Sequence, residues 1–123
     1  MPYSIGDFAQ ETGLSIYTLR YYEKEELIKP ERDAHNQRQY AERDKAWIDF
    51  ILRLKETAMP LREIKRYAKL RYAGEATLKE RLAILRVHRE AILEKRRVLE
   101  NNLALLEKKI ETYETAILQY ESR

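Results

Sequence analysis

The sequence predicts a mainly α chain, with four short helices and a two-stranded wing over residues 1–74 and one long coiled-coil helix over residues 75–123. Three observations predict it. Two segments with helix-capping residues flank Thr12-Gly-Leu14, and an apolar stripe runs from Leu78 to Tyr120 with no Gly or Pro in between. In addition, 37% of the 123 residues are charged, well above the roughly 25% of an average domain, which favours long exposed helices over a large globule.

A chain of this length holds a modest core but not a second large one. It has no cysteine, which removes disulfides, thiolate metal sites and thiol redox chemistry. No apolar run approaches the length of a membrane span and no signal-peptide pattern occurs, so a cytoplasmic protein without membrane contact is expected. The formal net charge is only +3, from 24 Lys and Arg against 21 Asp and Glu. Affinity for nucleic acid therefore has to come from local placement of cations, not from bulk charge.

Taken in order, Ser4-Ile-Gly-Asp7 offers an S-x-x-D capping box, Phe8 and Ala9 follow Ile5 at helical spacing, and Gly13 supplies the residue that ends the helix. Ser15 can cap the next helix, Ile16 to about Glu26. On it Leu19 and Tyr22 point inward, while Tyr17, Thr18 and Tyr21 share the opposite face with Arg20 at its edge. Two short helices around a tight turn make a helix-turn-helix with the second helix as reader. A solvated face is ordinarily Lys and Glu; this one is aromatic, hydroxylated and cationic. Arg donates bidentately to base edges, Tyr and Thr hydroxyls reach phosphate, and the rings pack on sugar or a thymine methyl.

Downstream, Ile28 to Asp33 and Gln37 to Tyr40 flank Ala34-His-Asn36, a short hairpin with Asn free to take unusual dihedrals and Pro30 confined to an edge. From Glu42, the apolar positions Ala46, Trp47, Phe50, Ile51, Leu54 and Ala58 have helical period, and Pro60 stops that helix and opens a fourth, which Gly74 ends. Thr77-Leu-Lys-Glu80 reads as a further capping box. Beyond it Leu78, Leu82, Leu85, Ile92, Leu99, Leu103, Leu106, Ile110, Tyr113, Ile117 and Tyr120 follow an alternating four-three repeat, broken only at Arg89 and Arg96. Such a helix, roughly 65 Å at about 1.5 Å per residue, cannot bury its stripe on a small domain. A heptad seam with a partner helix does so, as a left-handed coiled coil.

The segments Tyr3-Ser-Ile-Gly-Asp-Phe-Ala9, Gly13-Leu-Ser15, Thr18-Leu-Arg-Tyr-Tyr-Glu23, Leu27-Ile-Lys-Pro30, Arg38-Gln-Tyr40 and Ala58-Met-Pro-Leu-Arg-Glu-Ile64 resemble the start of a MerR-family transcription regulator. The resemblance spans about the first seventy residues, and the remaining helix is typical of the family. It implies a winged helix-turn-helix DNA-binding domain joined to a long antiparallel coiled-coil dimerisation helix. It implies that Arg38, Tyr40 and Lys55 hold the phosphate backbone. Together with the split of helix faces, this gives a DNA-binding set of Ser15, Tyr17, Thr18, Arg20, Tyr21, Tyr22, Arg38, Tyr40, Lys55 and Arg62, the last in a helix first turn that itself attracts anions. Relatives commonly have Gly where this chain has Ala58, which touches the shape of the second wing and the role of Arg62.

Within the family the chain resembles a branch with a short C-terminus linked to aldehyde and nitrosative stress, in part of which a thiol in the third helix is the proposed sensor. Arg53 stands in its place here. Thiol sensing is thus removed, and the few residues beyond Tyr120 are too short for the effector domain of drug-binding relatives. The effector is unknown; a pocket for one is expected only where Tyr113 and Tyr120 of one chain meet Trp47, Tyr67 and Tyr72 of the other. His35 in the wing turn and His88 in the long helix lie far apart in sequence and make no site, and no phosphate loop or nucleophile motif occurs, so no cofactor, no metal and no enzymatic activity are expected.

The function expected is a homodimeric regulator on a pseudo-palindromic promoter operator in double-stranded DNA, distorting the duplex between promoter elements and acting with RNA polymerase. Two competing readings remain. One is a repressor or architectural DNA-binding factor without activation, separated by the shape of bound DNA. The other is a coiled-coil protein-interaction module, since Tyr-rich faces also serve protein interfaces; salt-dependent binding of duplex DNA separates it.

Overall fold

The first two helices begin and end where their capping residues dictate, in a computed structural model that describes residues 2–123. The order is α1 (Ile5–Thr12), α2 (Ile16–Lys24), β1 (Glu31–Arg32), β2 (Arg38–Gln39), α3 (Glu42–Glu56), α4 (Leu61–Ala73), a 3-10 turn (Glu75–Thr77) and α5 (Leu78–Glu121). Ser4 caps α1 by accepting from the Asp7 N–H at 3.1 Å, and Gly13 closes it in the left-handed region at φ 74°. The two strands pair antiparallel with Glu31 opposite Gln39 and Arg32 opposite Arg38. Asp33 organises their turn, accepting from the N–H groups of His35 and Gln37 while Asn36 takes φ 60°.

The fold divides into a unit through Leu85 and a second from Arg86 to Arg123. In the first, Phe8, Leu19, Ile48, Ile51, Ile64 and Ala68 bring one face of each short helix into a common core. That unit runs past Gly74, where the sequence places the boundary, because Ile84 in the first turns of α5 is buried and Leu85 packs beside it. Leu85 therefore faces the core of its own chain, although the four-three repeat puts it in a seam. Thr77 departs from the expected capping box as well. Its hydroxyl turns back to the carbonyls of Leu70 and Gly74, at 2.6 and 2.7 Å, and accepts from Arg81 Nε. Satisfying the carbonyls at the end of α4 competes with capping the helix that follows.

In the second unit the apolar positions of α5 are open to solvent: Leu99, Leu103, Leu106, Ile110, Tyr113, Ile117 and Tyr120 all lie exposed, Leu99 at 68%. Among the described residues no helix is long and apolar enough to cross a membrane.

Candidate nucleic-acid interface

Helix α2 is fixed at both ends before it can present anything. Ser15 Oγ accepts from the Thr18 N–H and donates to Thr18 Oγ1, both at 3.0 Å, so the cap also orients the first hydroxyl of the outward face. At the other end the Leu27 N–H reaches back to the Tyr22 carbonyl and the Glu26 N–H to that of Glu23, both at 2.9 Å. This is a Schellman closure, with Glu26 at φ 61° where Gly is usual and Leu27 buried. Between these ends, Leu19 and Tyr22 are buried while Tyr17, Arg20 and Tyr21 are exposed, Tyr17 at 80%. Thr18 is half-buried on the same face.

Glu23 is the hinge between this helix and the wing. Its two carboxylate oxygens accept from Arg38 Nε at 2.6 Å and Arg32 Nη2 at 2.7 Å, holding two guanidinium groups of opposite strands at the flank of α2. Arg32 does not stand out in the sequence and Glu23 does so only as part of a motif, because the pairing joins positions nine and fifteen apart across a loop; only the hairpin register, Arg32 opposite Arg38, would have revealed it.

Tyr40 corrects an expectation. Its side chain is only 1% exposed, the ring stacks on Phe8 at 4.3 Å, and its hydroxyl is buried with no hydrogen-bond partner. A hydroxyl so placed reaches no phosphate; the isolated bridge between Tyr3 and Tyr40 has turned the side chain into the core. Burial pushes this phenol up to about 12. Tyr22 is likewise buried, yet its hydroxyl accepts from Lys55 Nζ. Its hydroxyl is thus engaged in positioning the Lys55 ammonium.

The turn after α3 repeats the Schellman pattern. Met59 N–H donates to the Leu54 carbonyl at 2.9 Å and Ala58 N–H to that of Lys55 at 3.0 Å, with Ala58 at φ 64°. Ala58 thus occupies a left-handed position that favours glycine. Met59 and Leu54, the apolar pair that accompanies such a closure, are both buried. Tyr21, Lys55, Met59 and Leu61 line a cleft of about 210 Å³ at this corner. Pro60 starts α4, and Arg62 is exposed in its first turn.

Of the residues expected to form an effector pocket, Trp47, Tyr67 and Tyr72 are engaged within their own chain. Trp47 is buried, donates from Nε1 to the Leu27 carbonyl at 2.8 Å and stacks on Tyr67 at 5.7 Å, and the Arg71 guanidinium lies 4.6 Å from its ring centre. Tyr72 accepts from the Lys29 N–H at 3.0 Å, and burial raises its phenol. Tyr113 and Tyr120 are exposed in the second unit. Among the described residues no group of His, Asp or Glu is arranged to hold a metal ion.

Residues 3–70 match the family model described as MerR HTH family regulatory protein. An uncharacterised HTH-type transcriptional regulator of Haemophilus influenzae is 34% identical over 117 residues, covering 94% of this chain and 87% of the relative. The HTH-type transcriptional regulator YyaN of Bacillus subtilis is 35% identical, covering 90% of each. Among solved structures, HiNmlR, a MerR family regulator lacking the sensor domain and bound to promoter DNA, superposes with a TM-score of 0.80 at 34% identity, covering 94% of this chain and 93% of that one. A MerR family regulator from Bacillus thuringiensis gives a TM-score of 0.74 at 30% identity, over 91% and 99% of the two chains.

Proposed function

This chain belongs to the MerR family of HTH regulators, and from that premise we propose that it binds a pseudo-palindromic promoter operator as a homodimer and distorts the duplex between the half-sites. The family consists of DNA-binding regulators and not of enzymes. The observation that carries the finer reading is the division of α2: Leu19 and Tyr22 are sealed in the core while Tyr17, Arg20 and Tyr21 stand exposed between two closed helix ends. That face enters the major groove. Thr18 belongs to it, and Arg38, Lys55 and Arg62, with Ser15 at the helix start, hold phosphates on either side.

Dimerisation rests on α5, which holds an uninterrupted helix and keeps Leu99, Leu103, Leu106, Ile110 and Ile117 in water. A second copy running antiparallel covers them, and a two-fold dimer implies a two-fold operator. Such a dimer holds two reading helices at a fixed separation. Bending and undertwisting the duplex between them costs of order 1–6 kcal/mol, which backbone contacts offset. The protein acts in the cytoplasm, where realigned promoter elements become competent for RNA polymerase. It has no thiol with which to sense an electrophile. The test is mobility of circularly permuted operator fragments: position-dependent retardation supports the model, and an operator that stays straight in a transcriptionally active complex rejects it.

A further inference from the structure

The outer face of α4 carries a charge pattern of which the proposed interface uses only Arg62. Ile64, Tyr67 and Ala68 turn into the core, whereas Arg62, Arg66 and Lys69 project outward in the spacing of one helix face, with Lys65 half-buried beside them. With Lys24 and Lys29 these side chains line a groove of about 610 Å³, whose carboxylates are Glu25 and Glu26. Glu25 is taken up by Lys65, and Arg66 pairs with Glu63 only at 3.6 Å across exposed side chains. Six cations face two acids here, in a chain whose whole surplus is +3.

We propose that this groove is a second DNA-backbone contact, holding phosphates of the duplex that flanks each half-site outside the reach of α2 and the wing. The proposal rests on the DNA-binding reading above and extends it. Two observations choose duplex DNA over an acidic protein. The lining is charged throughout, with no aromatic or aliphatic anchor, whereas the buried centres of protein interfaces are depleted of charge and enriched in aromatics. The groove is also continuous with the reading face, because Lys24 ends α2 and Arg62 follows Leu61, which lines the Tyr21–Lys55 cleft. From Arg62 to Lys69 the helix advances roughly 10 Å at about 1.5 Å per residue. One DNA strand rises about 3.4 Å per phosphate along the duplex axis, so a row of cations lying along that axis would meet about three.

The experiment compares the wild type with Arg66→Ala/Lys69→Ala, whose altered side chains are exposed and outside the core. An operator isolated by selection from random duplexes is used at its minimal length and with about ten added base pairs on each side, and affinity is followed against salt. On the extended duplex the variant is expected to lose about one unit of log–log salt slope per cation removed, because each neutralised phosphate releases counterions. On the minimal duplex its slope should match the wild type. An unchanged slope on the extended duplex overturns the proposal, and equal losses on both lengths overturn the flanking position. An unchanged slope accompanied by lost transcription in vitro assigns the groove to an acidic protein surface instead. Wild-type protein that binds neither duplex rejects the underlying DNA-binding reading, a result distinct from all of these.

Discussion

Lys55 Nζ, in the last turn of α3, donates to the Tyr22 hydroxyl at 3.2 Å and lies 5.2 Å from the centre of the same ring. A buried aromatic of α2 thus positions an exposed cation from another helix. The ring holds the ammonium by its face and its hydroxyl at once. Lys55→Ala is expected to weaken binding to all duplex sequences alike and to lower the salt slope by about one unit. Tyr22→Phe keeps the ring and removes the hydroxyl, so it should lower affinity by less. Fluorescence anisotropy across a salt series measures both, and a sequence-dependent loss in Lys55→Ala would contradict a phosphate role.

Arg20 stands on the exposed face of α2 beside Tyr17 and Tyr21, the face proposed to read base edges. Arg20→Ala should cost about 1–3 kcal/mol of operator affinity and broaden the bases tolerated at one position of each half-site. Selection from randomised operators reads the second effect directly. Intact affinity together with intact preference would show that α2 is not the reader.

For Tyr40 the expected result is the opposite of a DNA contact. An unpaired buried hydroxyl costs about 1–3 kcal/mol, so Tyr40→Phe should raise stability by about 1 kcal/mol and leave operator affinity unchanged. Burial holds this phenol at about 12, above the roughly 10 of an unfolded chain. The stability it supports is therefore complete below about pH 10 and is lost as pH rises towards 12. Tyr3, held up to about 12 by its hydrogen bond to Glu42, has the same sign. Denaturant melts between pH 8 and 11 should show a shallower alkaline loss in the variant, not its abolition.

Much of this was legible in the sequence because it is written locally. The Ser15 cap, the Gly13 turn, the inward Leu19 and the outward Tyr17 follow from spacing within one helix, and the structure has them so. What could not be read depends on partners far apart in the chain. Tyr40 shares a strand side with Arg38 by alternation, but the Tyr3 bridge and the Phe8 ring decide where its side chain goes. Ile84 lies one residue outside the four-three repeat and is buried nonetheless, because α4 and the turn after it bring the start of α5 onto the core. Glu23 sits in the reading-helix motif, yet its role appears only when the hairpin folds back beside it.

Ala58 shows how a substitution and a backbone state meet. At φ 64° its Cβ crowds the backbone, and both Schellman hydrogen bonds are nevertheless formed. The left-handed cost is about 1–2 kcal/mol, and glycine gives back part of that through its freer unfolded chain. Ala58→Gly should therefore stabilise the fold by about 0.5–1 kcal/mol, while Ala58→Val, β-branched in the same region, should destabilise it. Urea melts with an unchanged m-value would carry that conclusion; a less stable glycine variant would remove it.

The last prediction concerns α5, whose exposed apolar residues require a partner for the proposed dimer to exist. Leu99 and Leu103 are exposed at 68% and 53% and sit one helical turn apart, so both enter any seam built on the four-three repeat. Replacing both with Asp puts carboxylates where the partner helix would desolvate them, at a cost of several kcal/mol that an aqueous monomer avoids. The double variant should sediment as a monomer or fail to fold, and should lose operator binding, since one half-site alone gives little affinity. Circular dichroism separates the folded monomer from the unfolded chain. Orientation needs a second measurement. In an antiparallel pair the start of one α5 lies against the end of the other, so single cysteines at Leu78 and at Tyr120, introduced into differently tagged chains, should cross-link to each other. A chain with cysteine only at Leu78 should cross-link poorly to its own copy. Efficient Leu78-to-Leu78 cross-linking would show a parallel pair, and with it two reading units on the same end of the coiled coil, too close together to serve the half-site separation proposed for the operator.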